Sequence, residues 1–89
     1  MVYTISYELN RPGKDYPKLY ETIKALGAWW HPVDATWYVD IRLTAVQVRD
    51  SLQGVVNATD QILVSTAVAP AAWTNLDDSV SNWLKGRLK

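Results

Sequence analysis

Eighty-nine residues, 48% hydrophobic and 20% charged, make one small domain with a core and are too few for two. Nine basic residues balance nine acidic ones, so no net positive charge advertises a polyanionic partner. The absence of Cys excludes disulfides, thiolate zinc sites and a cysteine nucleophile.

The chain starts Met-Val-Tyr-Thr-Ile, without the basic region and long apolar run of a signal peptide. No apolar stretch approaches the ~18 residues that a membrane span needs. A cytoplasmic protein with no membrane partner is expected.

Residues 2–9 alternate, with Tyr3, Ile5, Tyr7 and Leu9 on one face and Thr4, Ser6 and Glu8 on the other. A period of two predicts a strand with one buried face. Residues 10–15 (NRPGKD) are turn chemistry. Tyr16, Leu19, Tyr20, Ile23 and Leu26 then form a helical stripe over 16–26. Pro17 suits a first helical turn, and Gly27 stands where a left-handed cap belongs.

Two strands, 28–31 and 36–41, are predicted around a turn at 32–35. Trp37, Val39 and Ile41 alternate in the second, which makes Trp37 a core residue. Thr44 with Gln47 three residues on is a capping-box pattern. Ala45, Val48 and Leu52 line the helix that follows, and Gly54 closes it. Residues 60–68 (DQILVSTAV) predict a last strand of β-branched character. A short helix begins at Asp77 or Asp78 and carries Val80, Trp83, Leu84 and Leu88 on its apolar stripe. Its leading acids and trailing cations suit the helix dipole.

The order β-α-β-β-α-β predicts an α+β domain of ferredoxin-like type, a sandwich with both helices on one face of a four-stranded sheet. The core spans 2–68, and 69–89 form a C-terminal appendage bearing the short helix. The last strand falls at a sheet edge, and Gln61, Ser65 and Thr66 give it little of the charge that blunts such an edge. Together with the apolar surface beyond it, this predicts a homodimer interface of Ile62, Val64, Trp73, Trp83 and Leu84, since a two-fold uses one patch twice. The alternative is that the tail folds back over its own sheet.

Four features bear on chemistry. Asn10, Arg11 and Lys14, with Lys18 one turn into the helix, form the best cluster of positive charge, placed where a phosphate or nucleic-acid backbone could meet a helix N-terminus. The plainer reading is a solvated turn, and the loop is no Walker A motif. Glu8 near the end of the first strand offers a carboxylate for a hard cation such as magnesium, although two-metal chemistry needs several convergent carboxylates and only Asp34 and Asp40 are expected nearby. The plainer reading there is a solvent-facing strand residue. His31, the only histidine, reads as a half-buried sheet residue without a paired nucleophile. Trp29, Trp30, Trp37 and Tyr38 crowd one hairpin. Such rings stack on unpaired bases in some sheets, although core or dimer contact is the favoured reading.

The segments ISYELNRPGK (5–14), WWH (29–31) and ATW (35–37) resemble small bacterial and phage proteins of the SinR family, related to the CRISPR-associated integration-complex subunit and to virulence-associated protein D. The likeness runs over 2–84. It implies a ferredoxin-like homodimer in which the tail after the last strand can cross to the partner. The wider superfamily includes metal-dependent nucleases with an aspartate at the end of the first strand. Glu8 matches that position, and Arg11 or Lys14 loosely matches the basic residue that follows.

The favoured function is therefore a non-enzymatic, homodimeric binding module, needing no cofactor, that contacts nucleic acid or a protein partner. The alternatives are a magnesium-dependent ribonuclease or deoxyribonuclease in which Glu8 is the catalytic metal ligand, and a small nucleotide binder at the Arg11–Lys14 loop.

Overall fold

A computed structural model describes residues 1–9, 17–33, 35–56 and 59–88. Its elements are β1 (Val2–Glu8), α1 (Pro17–Ala25), β2 (Ala28–Val33), β3 (Thr36–Asp40), α2 (Ala45–Gln53), β4 (Gln61–Thr66) and α3 (Asp78–Arg87). The turn at 10–15, Tyr16, Asp34 and Lys89 lie outside the described residues.

The four strands form one antiparallel sheet in the order β2-β3-β1-β4. Since every neighbour is antiparallel, β1 and β2 run the same way with β3 between them. In the same manner β3 and β4 run together with β1 between them. Each of these split pairs is joined through one helix, α1 or α2, and a common crossover hand puts both helices on one face.

That face holds the main core. Tyr3 and Ile5 of β1 and Trp37 and Val39 of β3 meet Leu19 and Ile23 of α1 and Val48 and Leu52 of α2. The strand positions recur every second residue and the helix positions every fourth, so alternation and helical stripe meet across one layer. Thr44 caps α2 as its sequence predicts. The Gln47 N–H donates to Thr44 Oγ1 at 3.2 Å, and the Thr44 N–H donates to Gln47 Oε1 at 2.9 Å.

β2 reaches past the expected 28–31 to Val33. The register shifts between Trp30 and Val33, and Pro32, which has no N–H, falls in that irregularity. β2 is an edge strand, where a missing donor costs least. β4 is shorter than 60–68, at Gln61–Thr66.

Gly27 is not the left-handed cap its position suggests, because its φ is 154°. A Cβ at Gly27 would stand 2.6 Å from Ile41 Cγ2 and 3.3 Å from the Asp40 carbonyl oxygen. The glycine is needed because the chain passes close to the end of β3 with a backbone angle that side-chain-bearing residues rarely adopt. Gly54 at the end of α2 has an ordinary helical φ of −74° and open space around it. Gly27→Ala is thus expected to lower stability by about 1–3 kcal/mol through overpacking against Ile41. Gly54→Ala should leave the denaturant midpoint unchanged, and equal midpoints for both variants would refute the close-approach account.

The segment after β4 does not stand apart. α3 lies on the sheet face opposite α1 and α2. Trp83 meets Trp30 edge-on at 6.3 Å, and Arg87 reaches Asp40 at 3.5 Å, both partners belonging to that outer face. Val80 and Leu84 of α3 are buried, as is Val2 of β1, outside the main core cluster. The Trp73 indole N–H donates to Ser81 Oγ at 3.0 Å and ties the connecting segment to the helix. α3 therefore covers part of the outer face, beside Trp30 and Asp40, and leaves the outer side of β4 open at Leu63.

Candidate functional site

The antiparallel register collects the residues singled out by sequence at the two ends of the sheet. Glu8 closes β1 opposite Gln61 of β4, at the end where α1 begins with Pro17 and Lys18 and where β2 finishes. Glu8 and Lys18 are both exposed there. Asn10, Arg11 and Lys14, which complete the expected phosphate cluster, lie outside the described residues.

Asp40 does not join Glu8. It pairs with Val2, six residues back along β1, so the two carboxylates are about 20 Å apart at ~3.4 Å per residue. Asp40 instead faces the Arg87 guanidinium and the N-terminal ammonium, each at 3.5 Å. Among the described residues there is no group of three or more His, Asp or Glu side chains placed to share a metal ion. Asp34 lies outside them.

The hairpin aromatics are divided by strand alternation. Trp37 faces the helices and is 2% exposed. Its indole N–H donates to Tyr7 Oη at 3.0 Å, and its ring packs with Tyr20 at 6.0 Å and Trp29 at 5.3 Å. His31 is exposed rather than half-buried, but its ring lies parallel on Trp37 at 3.9 Å. The Lys24 ammonium stands 4.9 Å above Trp29. Trp30 and Tyr38 point to the other face, where Trp83 of α3 covers Trp30. A base-stacking platform on that face would need α3 to leave.

The remaining apolar surface lies along β4. Ile62 and Val64 pack against the chain's own core, while Leu63, between them, points the opposite way and is 64% exposed. A depression of about 280 Å³ is lined by Ser6, Tyr7, Glu8, Gln61, Ile62 and Leu63. A second, of about 220 Å³, runs between α2 and β4 beside Val46, itself 55% exposed, and Arg49. Arg49 is neutralised locally by Asp50 at 2.9 Å.

Of the five residues expected at a dimer interface, Leu84 is 2% exposed within its own chain and Trp83 covers Trp30. The apolar stripe of α3 finds the nearest unpaired face, which is its own sheet. Ile62 and Val64 keep their place on the open edge strand through their backbone, not their side chains. Leu63 and Val46 were not foreseen. The unbroken run Ile62-Leu63-Val64 contains the signal for Leu63, because a strand can turn only alternate members of it inward.

Comparison with family models, with curated proteins and with solved structures finds no match to this chain. Among the described residues, the fold and these surfaces define a small α+β domain with a four-stranded antiparallel sheet, three helices and an apolar edge at β4. Among the described residues no helix is long and apolar enough to cross a membrane.

Proposed function

We propose that this chain is a non-catalytic binding module of ferredoxin-like architecture that works as a homodimer and meets its partners by protein contact along β4. The order β2-β3-β1-β4, with two split β-α-β units, supports the architecture. One observation carries the functional reading. β4 ends the sheet, has no charged residue and presents Leu63 to solvent beside Val46 of α2. Unpaired strand edges invite pairing, and proteins that keep them solitary usually arm them with charge or proline.

Protein contact is favoured over nucleic acid for two reasons: the net charge is zero, and α3 overlies Trp30 on the outer face. The nuclease alternative rests on Glu8, from which Asp40 is removed by the length of β1.

Light scattering on the full chain, with labelled RNA and duplex DNA incubated in parallel with and without magnesium, tests the reading. A dimer at micromolar concentration and intact nucleic acid are expected. A monomer at high micromolar concentration would refute the homodimer. Magnesium-dependent cleavage that vanishes in Glu8→Ala would establish the enzyme instead.

A further inference from the structure

We infer that two copies of this chain join β4 to β4 in antiparallel register centred on Leu63, making one continuous sheet through both. The inference rests on the homodimer reading and specifies its interface. The Ala67 N–H donates to the Val2 carbonyl at 2.9 Å, which sets the parity of the β1–β4 ladder. Backbone groups of Gln61, Leu63 and Ser65 therefore turn toward β1, and those of Ile62, Val64 and Thr66 turn toward the open edge.

A two-fold pairing along that edge must centre on a single residue. Centred on Leu63, it sets Ile62 of each copy against Val64 of the other as hydrogen-bonded pairs, on the helix side. It also sets Leu63 against its own mate on the outer face as a non-hydrogen-bonded pair, the closer kind, with Cα atoms about 4.5 Å apart. Centred on Val64, it would leave each Leu63 opposite a Ser65 and Ile62 opposite Thr66. Apolar matching selects the first register. Val46, exposed beside the same groove, extends the apolar strip onto α2. With Arg49 already balanced by Asp50, no unpaired charge faces the axis from that helix or from β4.

The arrangement has a consequence for chemistry. Glu8 lies opposite Gln61, two residues from the centre, with β1, β4 and their mates side by side between the two Glu8 residues. Three strand spacings of ~4.8 Å and four residue rises of ~3.4 Å put the two Glu8 positions about 20 Å apart. Paired catalytic metals stand about 3.5–4 Å apart, so this dimer does not bring the two carboxylates to one site.

The chain has no Cys, so a single introduced one reports without ambiguity. Leu63→Cys and Ser65→Cys, made separately in the full chain, are oxidised mildly and run without reductant, alongside light scattering of the parent. Leu63 faces its mate within disulfide range, whereas Ser65 and its mate lie well beyond the ~7 Å limit, so at least about tenfold more covalent dimer is expected from Leu63→Cys. Leu63→Lys, at an exposed position, should yield a monomer with native circular dichroism. If the parent is a dimer but Leu63→Cys does not cross-link, or Ser65→Cys cross-links equally, this interface is wrong while the homodimer stands. A monomeric parent would overturn both.

Discussion

Trp37→Ala is expected to lower the stability of this domain by about 3–5 kcal/mol. Trp37 is the largest fully buried side chain, on the inner strand β3, facing α1. Its removal leaves a cavity bounded by Tyr20, Trp29 and His31, the rings that pack directly on it. It also deletes the donor to Tyr7 Oη. Close packing makes such a void costly, because rings held by neighbouring strands and a helix cannot collapse fully into it. A domain of 89 residues is stable by only about 5–13 kcal/mol, so much of the total is at stake. At about 4–8 °C per kcal/mol, the melting temperature should fall by at least about 12 °C. Thermal and urea unfolding measure this directly. An unchanged midpoint would mean that Trp37 is not packed as described.

Leu84→Ala acts on the other face, and its expected signature differs. A buried Leu truncated to Ala costs about 2–5 kcal/mol where the structure cannot escape the cavity. Here it can escape, since α3 is reached through an irregular segment and its buried residues are Val80 and Leu84, with Trp83 packed edge-on against Trp30. A ten-residue helix is marginal in water without docking, so a weakened α3 should undock and unravel while the main core persists. Hydrogen exchange of the Leu84→Ala variant should show protection lost over 78–87 and kept in β1 and β3. Tryptophan fluorescence should shift to the red as Trp30 and Trp83 separate. Protection of 78–87 equal to that of the parent would sink the idea that α3 is held by this second, smaller core.

The local patterns of the chain determined its elements. The period of two in 2–9, the stripe Leu19–Tyr20–Ile23, the Thr44–Gln47 box and the Val80–Leu84 spacing are each read within a few residues, and each of these four elements stands within about two residues of where its pattern puts it. The seven elements, the core places of Ile5, Leu19, Ile23, Trp37, Val39, Val48 and Leu52, and the edge position of β4 followed from those patterns and the crossover rule. What lay beyond the sequence depends on pairing between distant segments. That Glu8 and Asp40 end up at opposite ends of β1 is a matter of register, and register is a long-range choice. That Gly27 answers to Ile41, fourteen positions on, is a contact no local pattern contains. The tail's choice of its own outer sheet face, and hence the exposure of Leu63 rather than Leu84, was decided by which apolar surface lay within reach once the sheet had formed. A period tells each residue which way to face, and only the assembled sheet tells it what it faces.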